Sequence, residues 1–112
     1  MFDIIYDALE ALFERVKDIA RKVINGVLSF FEHVVDYFRG LKLRKGRDIP
    51  FIGDTEKLAN IIHQAPVKDV GIFEATFNED TNDIENYRLL EADELDEKTE
   101  DLLGNEKLVV LT

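Results

Sequence analysis

The sequence predicts an α+β protein in which a long N-terminal amphipathic helix and a short connecting helix precede a β-β-α-β unit. The three strands of that unit are expected to form one sheet in the order 2-1-3. Three observations predict this arrangement. Apolar residues recur with helical spacing through the first third of the chain, a basic segment with glycine and proline interrupts them, and strand-like alternation begins beyond Pro66.

The first element follows from apolar residues that recur every three or four positions. This spacing places one side chain per turn on the same helical face. We therefore predict one amphipathic helix over residues 1–39, with a possible kink at residues 25–26, where Asn-Gly favours a turn. The expected interaction surface is its apolar face, formed by Phe2, Ile5, Leu9, Leu12, Val16, Ile19, Val23, Val27, Phe31, Val34 and Phe38.

The length of this helix suggests self-association. A straight helix over residues 2–39 would extend roughly 57 Å, whereas a compact chain of 112 residues measures about 34 Å across. A second apolar row widens the face in its C-terminal half beyond what one small sheet would cover. We therefore expect the helix to pack on the sheet and to pair with a second copy, which makes a homo-oligomer.

A basic connector is predicted over residues 40–53, where three glycines and Pro50 stop the helix. Asp54 or Thr55 can then cap a short connecting helix that ends near Gln64. Five cations lie in or beside this connector, namely Arg39, Lys42, Arg44, Lys45 and Arg47.

The sheet is predicted from the period of two beyond Pro66. Residues 70–77 and 84–90 form a hairpin, residues 93–103 a helix that ends at Gly104, and residues 108–111 a third strand. A right-handed crossover would place the third strand parallel to the second, with the first strand central. One face of the sheet would carry the helix of residues 93–103 and the other the N-terminal helix. The acidic α-β-β-α-β region of residues 54–112 and the N-terminal helix are expected to form one compact domain.

Charge divides the chain into two unlike halves. The net charge is -10, with +2 in residues 1–47 and -12 in residues 48–112. A negative field disfavours nucleic acid and anionic lipid and favours a basic protein partner, although it can also serve solubility alone. The predicted acidic surface is Glu91, Asp93, Glu94, Asp96, Glu97, Glu100 and Asp101.

The composition is that of a folded protein, and it suits a reducing compartment. Apolar residues make up 46% and charged residues 34% of the chain, and cysteine is absent. A chain without cysteine has neither disulfides nor thiolate metal sites, which suits the cytoplasm. We expect neither an export signal nor a transmembrane segment, because no apolar run approaches the roughly 18 residues that a span needs.

No motif predicts a reaction, a metal or a cofactor. The segment from Asn78 to Glu85 places oxygen side chains at alternate positions, but it lacks the glycine and the glutamate of a calcium loop. His33 and His63 are expected on different helices, and Ser29 has no elbow or oxyanion glycines. We therefore expect a protein that is not an enzyme, with no catalytic, metal-binding or cofactor-binding residues.

Two other partners are disfavoured. The basic connector could contact phosphates, but the acidic half would repel the same polyanion, and no recognition motif accompanies it. The polar face of the N-terminal helix is more acidic than basic, which is unlike helices that lie on membranes. The sequence thus favours a non-enzymatic protein–protein interaction or assembly module. The alternative is an acidic inhibitor, immunity protein or nucleic-acid mimic that blocks a basic site on its partner.

Overall fold

The computed structural model describes residues 2–111, including every side chain in that range except that of Phe2. Two helical elements lie before the second strand: α1 (Phe2–Arg15), and a π-helix (Phe30–Val35) that continues into α2 (Asp36–Gly40). A third helix, α3 (Glu97–Leu103), follows later. The strands are β1 (Arg21–Leu28), β2 (Asp48–Asp54), β3 (Val70–Asn78), β4 (Asp83–Leu95) and β5 (Leu108–Val110).

The five strands form one mixed sheet in the order β1-β4-β3-β2-β5. Strand β1 is parallel to β4, and the other neighbouring pairs are antiparallel. The chain extends 37 × 28 × 25 Å. Within residues 2–111, no helix has both the length and the apolar composition that crossing a bilayer requires.

Each face of the sheet has its own apolar core. In β3, Phe73 and Ala75 point towards α1 and the segment 55–62, whereas Ile72 points towards the π-helix, α2 and α3. This alternation is that of a strand buried on both faces. Helices α1 and α3 therefore lie on opposite faces of the sheet, as the sequence analysis expected.

The predicted helix over residues 1–39 is wrong. Helix α1 ends at Arg15, and residues 21–28 form the strand β1. This strand contains the β-branched residues Val23, Ile24 and Val27, which favour extended backbone. Gly26 lies at the register shift between Ile24 and Val27, with a φ of 114° that disfavours other residues. The Asn-Gly pair therefore marks an irregular strand and not a helix kink.

The structure distributes the predicted apolar face over α1, β1, the π-helix, α2 and the segment between α1 and β1. Most of its members are buried in one core or the other, and Val16 is half-buried. Three of them, Val23, Val27 and Phe31, are exposed. The side chain of Phe2 lies outside the described part. The buried members are Ile5, Leu9, Leu12, Ile19, Val34 and Phe38.

The predicted connector contains a strand. Strand β2 occupies the end of it and lies between β3 and β5, although Pro50 and Gly53 argue against a strand. A Cβ at Gly53 would lie 2.5 Å from Leu58 Cδ1, so any other residue there would displace this buried side chain. The segment predicted as a short helix forms turns instead, and its inward residues Leu58 and Ile61 are nevertheless buried.

The predicted sheet of three strands in the order 2-1-3 is also wrong. The hairpin of β3 and β4 is present, but β2 pairs with the other side of β3 over seven residues. Strand β5 has only three residues and pairs with the outer side of β2, antiparallel. The prediction places residues 108–111 beside β3, but β2 pairs there and β5 lies beyond it. Strand β4 also extends to Leu95, so α3 begins later than predicted.

Candidate interaction surface

Strand β1 forms one edge of the sheet and pairs only with β4. The N–H of Leu89 donates to the C=O of Ala20 at 2.9 Å. Because backbone groups alternate in direction along a regular parallel strand, the polar groups of Arg21 and Val23 then point away from β4. Within residues 2–111 no strand pairs with this outer side. An open row of donors and acceptors is a template for pairing with another chain.

Exposed apolar side chains accompany this open edge. Val23 and Val27 in β1 are 43% and 50% exposed, and Phe31, in the π-helix that follows, is 62% exposed. Single exposed apolar residues are common on protein surfaces. Here three lie within nine consecutive residues, on the edge strand β1 and in the helix after it, and they make this edge the candidate surface for contact with protein.

The π-helix begins at a compact cap. Ser29 Oγ accepts a hydrogen bond from the N–H of Glu32, and His33 Nδ1 accepts one from the N–H of Ser29 at 2.8 Å. Ser29 and His33 therefore serve as cap residues here. The segment that carries Phe31 is thereby tied to the end of β1.

The carboxylate of Asp96 accepts hydrogen bonds at the N-termini of two helices. Its carboxylate accepts hydrogen bonds from the N–H of Phe30 at 2.9 Å and from the N–H of Thr99 at 3.0 Å. Burial alone would raise the pKa of Asp96, but these hydrogen bonds and that from the Thr99 hydroxyl outweigh it and lower the pKa. Asp96, predicted as part of an acidic surface, is therefore the N-cap of α3 and a support of the π-helix.

The substitution Asp96→Ala is expected to lower the free energy of unfolding by about 1–2 kcal/mol, because it leaves N–H groups of two helices without an acceptor. Urea unfolding at neutral pH measures the effect. Asp101→Ala, at an exposed position of α3, is the matched control and should change stability by less than about 0.5 kcal/mol. Equal stabilities of the two variants would contradict the assigned cap.

An ion pair between Glu74 of β3 and Arg88 of β4 supports the π-helix. Arg88 Nε lies 2.6 Å from Glu74 Oε1, and Arg88 Nη2 donates to the C=O of His33 at 3.2 Å. The Arg88 guanidinium also lies 3.9 Å from the centre of the Tyr37 ring. Tyr37 in turn donates from its hydroxyl to the C=O of Asn86 at 2.6 Å.

Glu74 is fully buried, with no exposed surface. Burial raises its pKa to about 7, and the neighbouring Arg88 only partly opposes this shift. Burial also raises the pKa of Tyr37. A carboxyl that solvent does not reach has no access to a substrate, so we assign the pair a structural role. This pair is not among the residues predicted from the sequence, although a glutamate inside the apolar run of β3 is a signal for it.

The predicted acidic surface is divided by the structure. Glu91 is buried against Arg21. Asp93 pairs with Lys68 at 3.0 Å and accepts from the N–H of Gly26, and these contacts lower its pKa. Four exposed acids have no ion pair within the described residues, namely Glu94, Glu97, Glu100 and Asp101.

The remaining candidates have local roles. Asn78 Oδ1 accepts from the N–H groups of Asp80 and Thr81, so it shapes the turn between β3 and β4. His63 is exposed. No three His, Asp or Glu side chains of residues 2–111 lie close enough together to hold a metal ion. In the basic connector, the Arg47 side chain donates to Asp48 and thereby lowers the Asp48 pKa.

These features define an α+β protein whose five-stranded mixed sheet lies between helical layers and ends in an open strand. Comparisons of the chain with known protein families, curated proteins and solved structures found no match. The open edge of β1, with Val23, Val27 and Phe31, is the candidate interaction surface.

Proposed function

We propose that this protein is a non-enzymatic protein–protein interaction module that assembles into a homodimer through β1. The open edge of this strand is the observation that carries the proposal. Strand addition supplies main-chain hydrogen bonds, and the exposed Val23 and Val27 supply apolar contacts. Pairing through α1 is not proposed, because its inward residues Ile5 and Leu9 are buried against the sheet of the same chain.

Charge favours a second copy as the partner. Strand β1 carries the exposed Lys22 near its start, and Val27 near its other end lies beside Glu94 of β4. In an antiparallel pair related by a twofold axis, the basic start of one β1 would lie near the acidic end of the other sheet. A twofold interface repeats this attraction twice. The resulting dimer would have one continuous sheet of ten strands.

The substitution Val23→Pro is expected to abolish dimerisation. Proline lacks the N–H that points away from β4, so the pairing with β4 is retained while the outer hydrogen bond is lost in both copies. We expect dimer affinity to fall at least about tenfold. Val23→Thr is the matched control, because threonine keeps the N–H group and the strand preference.

Size-exclusion chromatography with light scattering, at tens of micromolar chain, measures the outcome. The wild type and Val23→Thr should elute as dimers and Val23→Pro as a monomer, with circular dichroism showing that all three are folded. A monomeric wild type would overturn the dimer. A folded Val23→Pro variant that remains dimeric would place the interface elsewhere.

A second candidate function is that of an acidic inhibitor or nucleic-acid mimic that blocks a basic site on a partner protein. It is supported by Glu97, Glu100 and Asp101, which are exposed on α3 without an ion pair in the described residues. Replacing these three by lysine should remove binding to a basic partner and its salt dependence, and leave dimerisation unchanged. Replacing Asp7, Glu10 and Glu14 of α1 by lysine changes the net charge equally and is the control.

Because cysteine is absent, we further propose that the module acts in the cytoplasm.

A further inference from the structure

A groove of about 590 Å³ lies on the face of the sheet that carries the π-helix, α2 and α3. Its lining comes from these helices, from β2 and β5, and from the segment before β2. This volume is in the range of sites for small molecules. The buried Phe30 and Phe38 line it together with half-buried residues that keep apolar surface open to solvent, among them Val35, Leu43, Leu102 and Val110.

Two cations complete the lining. Among the described residues, Arg39 of α2 and Lys98 of α3 are the only lining side chains with polar atoms, and both are exposed. The ion pair of Arg39 with Asp36 is 3.9 Å long, and Lys98 has no ion pair within residues 2–111. Arginine and lysine donate hydrogen bonds and accept none. A polar group that fits this groove is therefore an acceptor, and a negative charge strengthens its hydrogen bonds.

The basic segment of the chain adjoins this groove. Residues 39–47 contain five cations and no acid, and Leu43 in the middle of this segment lines the groove. Its neighbours Lys42, Arg44 and Lys45 are exposed and form no ion pair in the described part of the chain. A protein with a net charge of -10 thus has a positively charged region beside an apolar groove. Charge complementarity selects an anionic ligand there.

We propose that this groove binds the alkyl chain of a long-chain fatty acid and that Arg39 and Lys98 attract its carboxylate. An alkyl chain has no hydrogen-bonding group, which suits the apolar lining, and a carboxylate only accepts hydrogen bonds, as the two cations require. An extended peptide is a poorer occupant, because no lining side chain would accept from its backbone N–H groups.

Titration of ¹⁵N-labelled protein with dodecanoate, below its micelle-forming concentration, tests the proposal. Saturable shifts are expected for the backbone amides of Val35, Leu102 and Val110, with a Kd of about 100 µM or below. Octanoate is four methylenes shorter and should bind at least about tenfold more weakly. Dodecyltrimethylammonium has a similar alkyl chain and a positive head group. It should also bind at least about tenfold more weakly, although the net charge of -10 attracts it to the protein as a whole.

Reversal of the two cations provides the second measurement. The double variant Arg39→Glu/Lys98→Glu keeps the apolar lining and should bind dodecanoate at least about tenfold more weakly. Arg15→Glu/Lys17→Glu changes the net charge equally at two exposed positions, at and just after the end of α1. Because α1 lies on the opposite face of the sheet, this control should bind dodecanoate as the wild type does. Circular dichroism shows whether both variants are folded.

Three results of these titrations would each overturn the proposal: no saturable shift at about 1 mM dodecanoate; equal affinity for dodecyltrimethylammonium; or unchanged binding in a folded Arg39→Glu/Lys98→Glu variant. Flotation with phosphatidylglycerol vesicles distinguishes a free fatty acid from a membrane. Binding to these vesicles that the double variant loses would assign the groove to a lipid surface instead. No residue of β1 lines the groove, so these outcomes do not depend on dimerisation through β1.

Discussion

Arg88→Met is expected to lower the free energy of unfolding by about 3–5 kcal/mol at pH 8, because it leaves the carboxylate of Glu74 buried without its cation. Glu74 has no exposed surface, and Arg88 Nε is 2.6 Å from its Oε1. The same substitution removes the hydrogen bond to the C=O of His33 and the contact with the Tyr37 ring. The π-helix should therefore loosen together with the core beneath it.

Urea unfolding of matched variants measures this effect. Arg39→Met removes an exposed arginine whose nearest ion pair, with Asp36, is 3.9 Å long, and it should cost less than about 0.5 kcal/mol. The double variant Glu74→Leu/Arg88→Met should recover most of the lost stability, because no unpaired charge remains buried. If the double variant is as unstable as Arg88→Met alone, loss of packing and not the unpaired carboxylate is the cause.

Stability is expected to fall as the pH rises from about 5 to about 7. Glu74 has a pKa of about 7 in the folded chain, above its ordinary value of 4.5. Between these values the folded state binds more protons than the unfolded state, so the free energy of unfolding decreases with pH and levels off above the folded pKa. The full loss is at most about 3 kcal/mol. The pKa values of Asp48, Asp93 and Asp96 are lowered, so protonation of these groups reduces the free energy of unfolding only at more acidic pH.

Urea unfolding at a series of pH values from 5 to 8 tests the direction and the residue. The substitution Glu74→Gln should remove most of the slope, because glutamine does not titrate. Glu79→Gln, at an exposed position of the turn after β3, should keep the slope of the wild type. A wild type whose stability stays constant through this range would mean that Arg88 keeps Glu74 ionised in the folded chain.

Several elements could be predicted from the sequence because their determinants are close together in the chain. The β3–β4 hairpin follows from alternating residues on both sides of a polar turn at Asn78. Helix α3 has an acidic start and ends before Gly104, although its first turn was assigned too early. The inward row of α1, with Ile5 and Leu9, follows from helical spacing.

The candidate interaction surface could be predicted only in part. Val23, Val27 and Phe31 were among the expected surface residues, but as part of a helix face. Their exposure depends on β1 being the last strand of the sheet. The acidic surface is likewise predicted from composition. Composition does not show that Glu91 is buried, because this depends on Arg21, which is 70 positions earlier in the chain.

Local periodicity and turn residues are enough to predict the α+β class, the hairpin and the inward residues of α1. That residues 21–28 and 48–54 are strands depends on tertiary contacts. Apolar spacing in the first of these segments suits a helix or a strand, and Pro50 and Gly53 disfavour a strand in the second. Each becomes extended because a partner strand, β4 or β3, supplies the backbone hydrogen bonds from a distant part of the chain.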